Sequence, residues 1–600
     1  MHKNLIMTET EWAGLNHKLQ DPFFKKIHAN NERACDIMIA QSRDDFWNLS
    51  GDLNNADEER DNPYFWRIPK QRLIRFAVSW RLTGREDCLA EALRTVDVII
   101  DPKYWITEPL WSGLKHADLR TADWWTSATF ALESLAPVLS KKQESELVRC
   151  LVDWGLPAYL KGIEEGDWWR YSEFNWGPAL HGSAGVAALA MQDIAPDLAS
   201  EVLSAAKKGL QNTINYFPAG GGSTEGLMYQ CTTLTHLTEF VSALYRLEGD
   251  DLGLKTQPRF RDGLDSRLWM LGGDQKPINF SNCYEYGGEW RFPGAYWWAQ
   301  QCGRPDWAGF EDAFPRPWED TNGIAFEVEA FWHRAVDQPA TPWQQPVGLW
   351  HGRELDWLSW KRDKTWLSFR SGFNGGNHNN LDLGQIIYGV GTSRILGDPG
   401  YMASATAQHN CITFKRRDQT VDATAEILKA EEIPFGTHWL LHVWCDLKSA
   451  YPHTLERHHR HVIAISDSTL IILDHAMGKG GQRINAHGYL QCMSAPKLEE
   501  SKLSLETEQG DLAVRSHNSA EITIAEPYDH DDRTIYPLSY NAPIDSPEAR
   551  FIISVSSLDS LAIIDTGHAI EISAPTGTIT LDLPSGIINT HVIDNSFYPL

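Results

Sequence analysis

Trp343-Gln344-Gln345-Pro346 marks the place where the chain changes its hydrophobic rhythm. Upstream, apolar residues recur at three- and four-residue steps; downstream, they fall into short β-branched blocks closed by Gly, Asp and Ser. That change decides the fold class. On the N-terminal side Leu73, Ile74, Ala77 and Val78, then Leu93, Val96 and Ile100, then Leu147, Val148, Leu151 and Val152 each trace one face of a helix. Ser140 with Gln143 is a capping-box signature at the start of one of them. Thr83-Gly84 and Ala195-Pro196-Asp197 read as short connections between antiparallel helices. On the C-terminal side Trp366–Phe369, Ile386–Val390, Val462–Ile465, Leu470–Leu473 and Phe551–Val555 read as strands with no helical run between them. The expected architecture is an all-α domain over residues 1–345, built from stacked helix pairs, followed by an antiparallel β-sandwich over residues 346–600.

The length of 600 residues is more than one hydrophobic core usually serves, so at least two domains are expected. An apolar fraction of 42% and a charged fraction of 22% are those of a chain that folds. The net charge of -26 gives a negative far field that disfavours nucleic acid, anionic membrane surfaces and long polyanions. An acidic substrate therefore needs a locally basic cleft. The nine cysteines are odd in number, scattered and free of any CxxC pair, which predicts buried thiols in a reducing compartment. The N-terminus lacks the apolar core of a secretory signal, and no run of about 18 apolar residues occurs, so a cytoplasmic location and no membrane span are expected. The same sequence would result had an export signal been removed. Composition leaves a homo-oligomer open.

Most of the 26 tryptophans precede Leu367, among them the pairs Trp124-Trp125, Trp168-Trp169 and Trp297-Trp298. Tryptophan is good core filler in large helical domains, but the surplus also suits a cleft in which rings stack on the apolar face of a sugar.

Three segments carry candidate chemistry. The first is Phe174-Asn175-Trp176; the second is Gly220-Gly221-Gly222-Ser223-Thr224-Glu225-Gly226-Leu227-Met228-Tyr229; the third is Gly375-Gly376-Asn377-His378-Asn379-Asn380-Leu381-Asp382-Leu383-Gly384. The turn Asp398-Pro399-Gly400 and the pair His409-Asn410 follow. Singly, glycine runs mark turns and a lone Tyr or His is ordinary. In this order and spacing, across the helix-to-strand switch, the segments resemble the heparinase II/III-like polysaccharide lyases. The resemblance spans nearly the whole chain. It implies an N-terminal α/α toroid joined to the sandwich, and β-elimination at a uronic acid as the reaction.

The resemblance assigns Asn175 and His378 to the substrate carboxylate. The hydrogen on C5 of a uronate is weakly acidic because its removal builds charge next to that carboxylate, and an amide and an imidazole are suitable donors to it. Tyr229 is then the proton handler, taking the C5 hydrogen, donating to the departing O4, or doing both. A free phenol has a pKa of about 10, so a phenolate needs nearby positive charge, for which Arg170, Arg370, Arg394 and Arg416 are the candidates. Trp176, His181, Arg170, Glu225 and Arg416 are the expected substrate-side residues. His181 also reads as an ordinary helix residue, and Glu225 as a brace of the glycine loop, since a carboxylate beside a uronate would repel it. Relatives often hold zinc in the sandwich, and the matching positions here are Asn380, Asp398 and His409. An amide in place of an imidazole leaves a harder donor set, so Zn2+, Ca2+ or no metal all stay open, any ion being structural. Arg457-His458-His459-Arg460-His461 is expected on a solvated strand edge, and Lys415-Arg416-Arg417 at a charged hairpin tip.

The expected function is a lyase on acidic oligosaccharides or polysaccharides, exo-acting because so negative a protein is poorly suited to long sulfated chains. Three alternatives stay open: a uronyl C5-epimerase using the same first step, a glycoside hydrolase drawing a carboxylate pair from Asp167, Glu173 and Glu225, and a non-catalytic sugar-binding protein in which Asn175, Tyr229 and His378 only orient the ligand.

Overall fold

The computed structural model describes residues 4–40, 68–102, 105, 114–285, 290–314, 326–500, 502–518, 520–531, 533–542 and 546–592. The chain divides into two compact units. One takes Met1–Phe217, Met228–Leu264 and Gly287–Trp343; the other takes Pro218–Leu227, Asp265–Tyr286 and Gln344–Leu600. Two short upstream segments thus belong with the sheets. The last described helix, Phe326–His333, and the first strand, Gly348–Gly352, flank residue 345.

The helical unit is a double layer. Leu119–Ser134 is buried from Thr121 to its end, and Ser183–Met191 is buried at every position. Both are rich in small residues, which let backbones approach closely, and in the first Ser127 and Thr129 satisfy their hydroxyls on carbonyls four residues back. Against these inner helices lie amphipathic ones: Glu86–Ile99 covers Ile68–Thr83, and Pro196–Tyr216 covers Ser183–Met191. Helix starts are chemically marked. Asp118 caps Leu119–Ser134, Ser140 and Gln143 form the reciprocal capping box, and Pro196 opens its helix at the first position, where its missing N–H costs nothing. The nine cysteines are free; eight are buried and Cys302 is half-buried. Among the described residues no helix is long and apolar enough to cross a membrane.

The sheet unit has three layers. A ten-stranded and a nine-stranded antiparallel sheet enclose the main core, with Trp360, Leu367 and Ile386 from one meeting Val443, Val462 and Ile472 from the other. A four-stranded sheet, Ala562–Val592, packs its Ile570, Ile572, Ile579 and Leu581 onto the outer face of the nine-stranded sheet at Leu440, Ile463, Ile471 and Ile552. Strands covered on both faces must be apolar at every position, which explains the unbroken runs Val462–Ile465 and Leu470–Leu473.

Here the basic run Arg457–His461 departs from expectation. It lies in Leu455–Ile465, a central strand paired on both sides, and His458, Arg460 and His461 are buried. A run of charge does not reveal whether its strand has one neighbour or two. Arg460 is anchored bidentately on Asp474 and donates from Nη1 to the carbonyls of Gly384 and Asn410, at 2.6 Å each. It thereby fixes from inside the two loops that follow His378 and His409.

Candidate active site

In the helical unit, Asn175 precedes a π-helical turn, Pro178–Gly182, a distortion frequent at functional sites. Gly177 is required there: a Cβ would come within 2.6 Å of the Ser172 carbonyl. Asn175 and Trp176 are buried, and beside them Trp168, 42% exposed, lies 4.7 Å from the Trp176 ring and stacks on Phe174. An open aromatic face thus lies beside a buried amide. Arg170 is half-buried, its guanidinium 4.5 Å from the ring of exposed Tyr171.

His181 is not a substrate residue. It is fully buried, its Nδ1 meets the Tyr159 hydroxyl at 2.7 Å, its Nε2 meets the Arg170 carbonyl at 3.3 Å, and burial pushes its pKa down to about 4. The ordinary reading of that helix histidine is the one the packing supports. Tyr229 is half-buried, three residues into the helix Gly226–Glu248.

In the sheet unit the glycine loop is a left-handed turn with φ of 83°, 85° and 90° at Gly220–Gly222 and 85° at Gly226. Its side chains are absent for want of room as well: a Cβ on Gly226 would lie 2.5 Å from the Phe280 carbonyl. Glu225 is 1% exposed and accepts from Asn377 Nδ2 at 2.7 Å, which makes it a brace between the glycine loop and the His378 loop.

His378 itself sits in left-handed backbone, φ 60°, and is held by a segment from the helical half of the sequence. Asn282 N–H donates to the His378 carbonyl at 3.0 Å, and Ser281 Oγ donates to Asn379 Oδ1 at 2.8 Å. The amide of Asn282 is oriented by the Met402 N–H, which donates to its Oδ1 at 3.1 Å, so its Nδ2 faces His378 Nδ1 at 3.3 Å. An N–H pointing at Nδ1 makes that atom the acceptor and leaves the ring proton on Nε2. Burial pushes the pKa down to about 4, so near neutrality the ring is uncharged, with its Nε2–H 3.7 Å from the Glu225 Oε1. Nothing in the sequence signalled Asn282, because its distance from His378 along the chain hides the contact.

Two of the four arginines proposed to activate the phenol are committed elsewhere. Arg370 is fully buried against Asp382, with the Phe373 carbonyl at 3.2 Å. Arg394 grips Asp274 through Nε at 2.9 Å and Nη2 at 3.2 Å, pairs with Glu285, and caps the carbonyls of Lys276 and Pro277. Both are structural. Arg416 stands exposed at a tight turn with φ 56°.

Behind His378, Asp382, Asp398 and His409 form a buried group whose ligand atoms lie within 4.8 Å of one another. Burial alone would lower the His409 pKa; the Asp398 carboxylate at 3.0 Å, with Asp382 beyond it, outweighs that and raises it to about 9. Nδ1 then donates to Asp398 and Nε2 to the Ala403 carbonyl at 2.8 Å. Asp382 Oδ2 is buried without a hydrogen-bond partner, and so is Asn380 Nδ2. An orphaned buried carboxylate oxygen beside a second carboxylate and an imidazole fits a divalent ion, provided His409 gives up its Nδ1 proton. The expected donor set lacked Asp382.

No family model matches this chain and no curated protein matches it. Solved structures do. The chain has the fold of the heparinase III-type lyases. Heparan sulfate lyase HepC from Pedobacter heparinus, in a mutant form, aligns with 13% identity and a TM-score of 0.57 over 91% of this chain and 84% of that one. The heparinase III product of BT4657 aligns with 12% identity and a TM-score of 0.58 over 97% and 99%. Chondroitin AC lyase from Streptomyces coelicolor A3, in complex with chondroitin sulphate, aligns with 13% identity and a TM-score of 0.53 over 96% and 87%. At these identities the likeness establishes the α/α toroid and β-sandwich and leaves the chemistry to this chain's own residues.

Proposed function

We propose that the protein is a polysaccharide lyase that cleaves a uronic-acid-containing glycan by β-elimination, acting from chain ends on oligosaccharides. The observation that carries this reading is the Asn282 amide beside His378, whose Nδ2 faces the ring Nδ1 at 3.3 Å. Held neutral with its proton on Nε2, His378 can donate to a substrate carboxylate in place of the Glu225 Oε1 that lies 3.7 Å from Nε2, and cannot serve as the base through that atom. Asn175 is the second donor to the carboxylate. The proton transfers then fall to Tyr229: as phenolate it takes the C5 hydrogen, the C4–O4 bond breaks as the C4–C5 double bond forms, and the phenol returns the proton to O4. Trp168 and Trp176 support the sugar face, and Arg170 and Arg416 are the remaining cations for the phenolate or the glycan's charge. The names of the structural relatives, lyases of heparan sulfate and chondroitin, favour an acidic glycan as substrate. Asp382, Asp398 and His409 would hold a divalent ion whose contribution is to fix the loops around His378, with no part in proton transfer.

The test is a panel of uronic acid polymers and oligomers assayed by the ultraviolet absorbance of the unsaturated product. At least one substrate is expected to give it, and Tyr229→Phe and His378→Ala are each expected to lower turnover by at least about a hundredfold, the lower range for a lost acid–base group. Wild-type turnover in both variants would overturn the assignment. Solvent hydrogen appearing at C5 without unsaturation would turn it into an epimerase.

A further inference from the structure

The helical unit contains a cavity of about 240 Å³ that none of the chemistry above uses. A space of roughly 150 Å³ is enough for benzene, so this one takes a single ring with a short substituent. It is lined by Phe130, Tyr245, Trp297 and Trp332, together with Glu329 and His333. Its distance from Tyr229 follows from the helix they share: Glu239, on the lining, is ten residues further along Gly226–Glu248, or about 15 Å at 1.5 Å per residue.

Lys70 and Arg246 line the cavity together with Glu239 and Glu329. Lys70 Nζ lies 3.1 Å from Glu239 and 3.7 Å from Asp123, and Arg246 pairs with Glu11 at 2.9 Å. Each cation therefore already has a closer carboxylate, and Glu329 feels Lys70 only at longer range. Glu329 is 2% exposed and His333 4% exposed, both line the cavity, and neither side chain has a hydrogen-bond or salt-bridge partner among the described residues. They stand four residues apart on Phe326–His333, hence on one face, about 6 Å apart. Burial, with the Glu239 charge adding to it and Lys70 opposing it, pushes the Glu329 carboxyl pKa well up, and burial keeps His333 uncharged, with a pKa of about 4. An unpartnered buried acid and a neutral imidazole, walled by aromatic rings, call for a ligand that brings N–H donors and positive charge on an apolar body.

We propose that this cavity is a binding site for a small organic cation, a primary ammonium on an aromatic or apolar body, held by Glu329 and His333 and stacked among the surrounding rings. An ammonium bound there lets Glu329 ionise, its proton leaving to solvent; a neutral ligand of the same shape brings no such charge, and an anion brings the carboxyl no N–H donor.

The test is calorimetric titration of the intact protein with phenethylamine, 2-phenylethanol and phenylacetate, which share a body and differ in charge. Phenethylamine is expected to bind saturably and raise Tm, 2-phenylethanol to bind at least about tenfold more weakly, the lower end for a lost hydrogen bond to a charged group, and phenylacetate not to bind. Glu329→Gln should bring the amine down to the affinity of the alcohol, Ala243→Phe should abolish uptake of both by filling the cavity from another helix, and Tyr229→Phe should bind as wild type. No amine binding, equal binding of all three probes, or undiminished amine binding in Glu329→Gln overturns the proposal. Should Glu329→Gln not fold, amine binding retained by Ala243→Phe overturns it, and the three-probe comparison on wild-type protein decides without either variant.

Discussion

Asn282→Asp is the perturbation that isolates the role given to His378. The new carboxylate keeps the Met402 N–H on one oxygen and places the other where Nδ2 stood, 3.3 Å from His378 Nδ1. An acceptor has replaced a donor. The neutral ring must then carry its proton on Nδ1, and Nε2 presents a lone pair to the substrate carboxylate. The same carboxylate favours the imidazolium, and an opposite charge at this distance raises a pKa by about 1–3 units, moving His378 from about 4 to between about 5 and 7.

The sign of the pH effect follows. Below its new pKa the variant's ring is doubly protonated and Nε2 donates again; above it, the proton sits on the wrong nitrogen. The substrate carboxyl stays ionised throughout this window. Turnover relative to wild type is therefore expected to be near parity at pH about 5 and lower by at least about a hundredfold at pH about 8, the range for a lost donor to a developing anion. Asn282→Ala, which adds no charge, should give a smaller loss that does not change with pH. The assay is initial rate of unsaturated product across that range on whichever uronate proves to be the substrate. A ratio of variant to wild type that is constant with pH would refute the tautomer argument, since a merely structural loss cannot recover on acidification.

Three further outcomes follow from the buried charges. Arg394→Met leaves Asp274 buried without its bidentate partner while Glu285 keeps Arg533 at 2.7 Å, so the sheet unit should lose about 3 kcal/mol in urea unfolding, and Asp274→Asn in the same chain should restore part of it; a loss under about 1 kcal/mol would contradict the pairing. His181, with a folded pKa of about 4 against about 6.5 unfolded, takes up a proton on unfolding between those values, so its contribution is full above about 6.5 and falls by up to about 3 kcal/mol as the pH drops to about 4; the stability of His181→Gln should vary less steeply across that window. If Asp382, Asp398 and His409 hold zinc, chelation should lower Tm and added Zn2+ restore it, with no response in Asp398→Asn; metal analysis of the purified protein gives the occupancy.

What could be read from the chain follows from how local each signal is. Helix faces and strand runs are written in consecutive residues, so the switch near residue 345 and the capping box at Ser140 are legible without coordinates. The glycine loop is legible for the same reason, as three successive left-handed residues admit little else. Whatever depends on pairing is not. Arg460 and Arg394 resemble surface charge until their strands acquire neighbours on both sides, and each then becomes a buried clamp on backbone carbonyls. Asn282 lies 96 positions from the ring it orients, in a stretch whose flanks are helical, yet it sets which nitrogen of His378 carries the proton. A motif can name the imidazole; only the partner on Nδ1 decides whether that imidazole donates, and donation at Nε2 is the property the proposed elimination requires of it.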